Sequence, residues 1–210
     1  METEKKTDVQ VTFAKIISFF FHPLFMPLYG LMIIFSAPTL YSYLPFNVKK
    51  ILIFILLINN ILIPLSLMPF FRYRNIISSW VIEKRNERTI PLFSVALLYS
   101  ITSFIMYRFQ IPLFVKAYIF STSFLVLAVL LINLWWKISI HSVGAGALTA
   151  IVFTLSVKMA TPLTWFLIPT VIVAGLVLSS RLKLNSHDSA QVYLGFLAGL
   201  AGISLFMLFF

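Results

Sequence analysis

The chain has no cysteine and very few acids, and each shortage narrows its chemistry. Without thiols there is no disulfide, no cysteine nucleophile and no thiolate metal site. The six acidic residues are Glu2, Glu4 and Asp8 near the start, Glu83 and Glu87 in one polar segment, and Asp188 in another. None lies within an apolar run. Magnesium-dependent and two-metal phosphotransfer need clustered carboxylates, so metal-dependent chemistry and carboxylate proton relays are disfavoured, and no cofactor is expected. Charge of any kind is scarce: 10% of the residues are charged and 60% hydrophobic, with a mean hydropathy of +1.01. A soluble domain must wet its exterior. This composition instead predicts an all-α, polytopic transmembrane helix bundle, one domain over residues 1–210 with a polar tail at 1–15.

The net charge of +10 does not point to nucleic acid. The basic residues sit at the ends of apolar runs and in short connections, where anionic lipid head groups are the expected partner. The apolar stretch after the tail is interrupted by Lys15 and does not end in a small-residue cleavage site, so it reads as a retained anchor.

Seven apolar runs are long enough to span a bilayer, at Ile16–Phe35, Ile51–Phe71, Ile90–Tyr107, Ala117–Trp136, Ile138–Val157, Pro162–Ser179 and Ala190–Phe210. The first carries His22, Pro23 and Pro27, which predict a kink or an interfacial piece followed by a half-span. His22 reads as a packing or interfacial residue. Asn59, Asn60 and Asn133 fall inside spans, where amides bond across to neighbouring helices. Gly144, Gly146 and Ala147 in the fifth run, and Gly195, Gly199 and Gly202 in the seventh, make small-residue faces that predict close packing of those two helices. The segment 72–88 is polar but interrupted by Ile76, Ile77, Trp80, Val81 and Ile82. It reads as an interfacial loop or an amphipathic surface helix.

The polar chemistry is gathered in three places. Ser180 and Arg181 end the sixth run, and His187 and Gln191 open the seventh, four apart and so on one helical face. Lys137, Ser139 and His141 follow the fourth run, beside Trp135 and Trp136, and Lys84 and Arg88 follow the second. If the runs cross alternately, all three clusters emerge on one side of the membrane, whether or not the first run spans. With acids scarce and thiols missing, histidine is the one plausible nucleophile or base there.

Together these elements resemble the type 2 phosphatidic acid phosphatase family of membrane-embedded lipid phosphatases. The family's third element, Ser-Arg, five residues, His, three residues, Asp, is matched by Ser180, Arg181, His187 and, in place of the aspartate, Gln191. Its Pro-Ser-Gly-His element is matched by Ser139 and His141 within Ile138-Ser139-Ile140-His141. Its lysine–arginine–proline element is matched, at altered spacing, by Lys84, Arg88 and Pro91. The resemblance covers roughly residues 84–192.

The resemblance implies a metal-free, two-step hydrolysis. His187 would attack phosphorus to form a phosphohistidine, and His141 would protonate the leaving group and then activate water. Lys84, Arg88, Ser139 and Arg181 would hold the phosphoryl oxygens, at one interface of a bacterial inner membrane. Gln191 stands where the family's aspartate orients the nucleophile; it keeps a hydrogen-bond acceptor and brings no charge. In serine proteases the comparable aspartate-to-asparagine exchange lowers turnover by about 10⁴. Asp188, one residue along from His187, points roughly 100° away on a helix and reads as a cap for the last helix, near Asn185 or Ser186. Glu83 and Glu87 are the other carboxylates within sequence reach. A catalytically silent relative that binds or transports anionic lipids is the second reading. A metal-dependent prenyltransferase, which needs paired aspartates, is the third.

Overall fold

In the bilayer core a backbone must satisfy its own hydrogen bonds, and the long apolar runs do so as helices. The computed structural model describes the backbone of residues 2–82 and 84–210, and side chains from Val9 onward except Glu83. Its helices are α1 (Glu2–Phe20), α2 (Met26–Ser36), α3 (Phe46–Leu56), α4 (Ile63–Tyr73), α5 (Arg85–Tyr107), α6 (Leu113–Trp135), α7 (Ile140–Lys158), α8 (Thr164–Lys183) and α9 (Ser189–Phe209). Among the described residues, seven helical segments are long and apolar enough to cross a membrane: Val9–Ser36, Phe46–Tyr73, Arg85–Tyr107, Leu113–Trp135, Ile140–Lys158, Thr164–Lys183 and Ser189–Phe209. Of the polar tail expected at 1–15, residues 2–15 are therefore helical.

The first span is broken, as its prolines predict. His22 precedes Pro23 and takes an extended conformation (ψ 139°), because proline disfavours the helical region in the residue before it. A 3-10 turn at Pro23–Phe25 follows before α2 begins. The second span contains a π-helical turn at Leu57–Leu62 just before Pro64. Proline cannot donate to the preceding turn, and the helix takes a wider turn there. Within that turn Asn59 Nδ2 donates to Leu98 O (2.8 Å) and Thr102 Oγ1 (2.6 Å), and Thr102 donates to Asn60 Oδ1 (2.6 Å). Asn133 Nδ2 likewise reaches Arg85 O (3.3 Å) and Thr89 Oγ1 (3.4 Å). All three asparagines thus bridge helices.

α7 is the most buried span, and its most extensive partner is α9. A Cβ on Gly146 would lie 2.1 Å from Phe196 O, and one on Gly199 would lie 2.0 Å from Val143 O, so only glycine allows this approach. Gly195, against Ser139 O and Ser142, and Ala147, against Gly199, belong to the same seam, and two small residues differ from the expectation. Gly144 faces Met26 at the α2 entry and Gly202 faces Leu125 on α6. Outward-facing Phe104, Phe124, Leu131, Leu197 and Leu205 present an apolar belt, as lipid contact requires.

Among the described residues of 74–84, no amphipathic helix forms. The chain leaves α4 through Asn75, in the left-handed region (φ 55°), and runs through turns and bends to α5. Ile77 is completely buried, Arg72 Nη1 donates to Ile77 O (3.2 Å), and Ser78 N and Oγ donate to Glu87 (2.8 and 2.9 Å). These tertiary anchors outweigh the weak helical periodicity of a segment rich in Ser, Asn and Ile.

Candidate functional site

Where α8 passes to α9, Asn185 turns the chain with a positive φ of 49°. Asp188 then caps α9 by accepting from Gln191 N at 2.8 Å, which commits that carboxylate to the helix cap. That cap fixes the first turn of α9, and His187 Nδ1 meets Gln191 Oε1 at 2.8 Å. An amide oxygen only accepts, so Nδ1 carries the proton and Nε2 keeps its lone pair. His187 is buried, 8% exposed.

The other two polar segments are stitched to this turn. Lys137 Nζ donates to Ser186 O (2.9 Å), and Ser139 N donates to Gln191 O (3.2 Å). Arg88 Nη1 donates to Ile138 O (3.5 Å) and its Nε to Ile82 O (2.9 Å). The three clusters therefore share one end of the bundle. Burial, above all, lowers the His187 pKa to about 4, with further lowering by Arg88, Lys137 and Arg181 and partial opposition from the Gln191 bond. The imidazole is neutral at neutral pH.

His141 sits in the first turn of α7 and meets the N-terminal segment. Its Nε2 lies 3.2 Å from Ser18 O, and its ring stands edge-on to His22 with centroids 5.3 Å apart. A carbonyl only accepts, so Nε2 carries the proton. Arg181 Nη1 donates to the Ser18 hydroxyl at 3.1 Å, while its buried Nε has no hydrogen-bond partner. Arg181, 7% exposed, lies within electrostatic reach of all three histidines.

Not every carried-over residue joins the cluster. Lys84 has a 73% exposed side chain and pairs with Glu87 at 3.3 Å. It precedes α5 as the N-cap residue, whereas Arg88 lies in the first turn with its side chain 9% exposed inward. Glu87 is committed to Ser78 and Lys84 and does not reach the histidines; Glu83 lies outside the described residues. Ser139 is fully buried as the α7 N-cap, its hydroxyl accepting from Ser142 Oγ at 2.9 Å. The sequence reading placed Lys137 in a polar cluster without giving it a role, read His22 as a packing or interfacial residue, and passed over Ser18, which no motif marks. Among the described residues, no group of three or more His, Asp or Glu side chains could hold a metal ion.

The fold and this cluster define an all-α polytopic membrane protein with a buried, histidine- and arginine-lined polar site at one end of its bundle. Compared with family models, curated proteins and solved structures, the chain matches none.

Proposed function

We propose that the protein is a membrane-embedded, metal-independent phosphatase of lipid phosphates or pyrophosphates, working through a phosphohistidine at His187. The observation that carries the reading is the 2.8 Å bond from His187 to Gln191, which leaves Nε2 unprotonated on a ring that burial keeps neutral. A neutral imidazole with its other nitrogen pinned is poised as a nucleophile.

In the first step Nε2 forms a bond to phosphorus, and the bond from phosphorus to the lipid oxygen (or the bridging oxygen of a pyrophosphate) breaks. The leaving oxygen keeps that electron pair and takes a proton from His141 in its imidazolium form, which returns that ring to the neutral imidazole. In the second step water attacks phosphorus and gives a proton to His141. The P–N bond then breaks, its electron pair returns to His187, and inorganic phosphate leaves. Arg181, Arg88 and Lys137 supply the positive charge that stabilises the equatorial oxygens. Lys84, exposed and paired with Glu87, takes a peripheral role. The resemblance to type 2 phosphatidic acid phosphatases and the shared end of the three polar segments both support this reading. We place the protein in a bacterial inner membrane, with the lipid head group at the interface and the tail among helices.

Purified protein in detergent should release phosphate from phosphatidate, phosphatidylglycerophosphate or a polyprenyl pyrophosphate without added metal, and His187→Ala should abolish release while the protein stays folded. Failure on every lipid, even after Gln191→Asp, would remove the enzyme reading. The uncharged Gln191 favours a second reading, a silent relative that binds anionic lipid. That reading expects head-group binding to survive His187→Ala and to depend on Arg181.

A further inference from the structure

Two of the groups that the proposed reaction needs are held by a single residue of the first span. Ser18 places its hydroxyl 3.1 Å from Arg181 Nη1 and its carbonyl oxygen 3.2 Å from His141 Nε2. One residue therefore sets two oxygens on a guanidinium and an imidazole N–H from different helices, two kinds of donor that the proposed phosphoryl site uses. Both Ser18 oxygens are neutral acceptors. Phosphate oxygens bring full negative charge to the Arg181 cation, an ion pair that no Ser18 oxygen supplies, so an incoming phosphate has the advantage in exchange. The buried Arg181 Nε, without a partner, is a further donor that a larger oxyanion can engage.

The element carrying Ser18 packs on the bundle along one main neighbour, and its end is tied to α2 by the Tyr29 hydroxyl donating to Phe20 O (2.9 Å). α1 packs chiefly on α8, and Ile17 and Phe21 lie on a small cluster of Ala145, Ala174 and Val177. Its other face, with Phe13, Ile16, Phe19 and Phe20, is exposed to the surroundings of the bundle. Just after Ser18 comes the proline-directed break at His22 and Pro23, a natural hinge. The seam between α1 and α8 thus runs from the polar site outward to the lipid-facing side.

Resting on the phosphatase reading, we infer that α1 is a lateral gate latched by Ser18, and that the phosphoryl oxygens of an entering lipid phosphate replace the Ser18 oxygens on Arg181 and His141. The relevant ligand chemistry is a phosphoryl oxyanion, whether free or on a lipid.

The test uses two independent changes in the full-length, naturally cysteine-free chain. Ser18→Ala removes the hydroxyl latch. Ile17→Cys or Phe21→Cys, each combined with Ala174→Cys or Val177→Cys, allows the seam to be locked by oxidation and freed by reduction. Binding of inorganic phosphate and of phosphatidate in detergent micelles is measured by calorimetry, with circular dichroism checking the fold. The gate expects Ser18→Ala to bind both ligands about three- to tenfold more tightly, the worth of one released hydrogen bond. It expects the oxidised pair to bind neither ligand and the reduced pair to bind both. Unchanged affinity in Ser18→Ala overturns the latch. Equal binding before and after oxidation overturns the gate and leaves the phosphatase reading standing, and a lock that blocks phosphatidate but not inorganic phosphate overturns the exchange at the Ser18 latch. No binding of either ligand by unmodified, reduced or Ser18→Ala protein overturns the anion site itself, and the gate with it.

Discussion

The imidazole of His187 and the side-chain amide of Gln191 are joined at 2.8 Å across the first turn of α9, with the amide oxygen accepting from Nδ1. That contact orients the ring as a carboxylate would, but it does not stabilise an imidazolium. Orientation and charge, which an aspartate supplies together, are separated in this protein.

Gln191→Asp restores the charge. A carboxylate at hydrogen-bond distance raises a histidine pKa by about 1–3 units. Turnover on the best lipid substrate should rise at least about tenfold, with a ceiling near 10⁴ set by the serine-protease comparison. The acid limb of the rate profile should move to higher pH at the same time. Phosphate-release rates between pH 4 and 8 for the two proteins measure both effects.

His187 also gives folding stability a pH dependence. Its pKa is about 4 in the folded protein against 6.5 ordinarily. Between these values the unfolded chain takes up a proton that the folded protein refuses, so stability falls as pH drops from 6.5 toward 4. The loss amounts to about 3 kcal/mol and ends below the folded value. Melting curves in detergent should show this slope in the unmodified protein and a shallower one in His187→Gln.

The two lysines of the polar clusters should behave differently. Lys137 bonds to Ser186 O and acts on His187, whereas Lys84 is largely exposed. Lys137→Met should weaken phosphate binding by about tenfold or more, the scale of a charged hydrogen bond. Lys84→Met should change it less than about threefold, in line with an exposed ion pair. Equilibrium binding of inorganic phosphate separates the two.

The α7–α9 seam should tolerate no side chain. Gly146→Ala and Gly199→Ala each drive a methyl to within about 2 Å of backbone oxygen across the seam, at Phe196 and Val143 respectively. Each should destabilise the protein by about 1–3 kcal/mol or more. Gly175→Ala, with open space around its Cβ position, should be neutral or slightly stabilising. Detergent melts of the three variants give the comparison.

Much of this arrangement was legible before any coordinates. Apolar run length alone marks the seven spans, because the bilayer sets a minimum. The Gly146 and Gly199 contact follows from residue size, yet the aim of Gly144 toward Met26 depends on helix rotation, which composition does not encode. Alternate crossing foretold that the clusters of Arg88, Lys137 and Arg181 share one end. Which basic residue turns inward did not follow, because it depends on where α5 begins: one residue after Lys84, so that Arg88 falls on the buried face. Ser18 and His22 were least legible. They reach the site only because the first span breaks and folds against α8, a tertiary event with no local spacing to announce it.

The most direct test is to trap the covalent intermediate. Protein is mixed with lipid phosphate labelled at phosphorus, quenched in base to preserve an acid-labile P–N bond, and mapped by peptide. Label on His187, accumulating further in His141→Ala because hydrolysis is slowed, is the expected result. Label on another residue, or phosphate release with no trapped label in either protein, contradicts a nucleophilic His187.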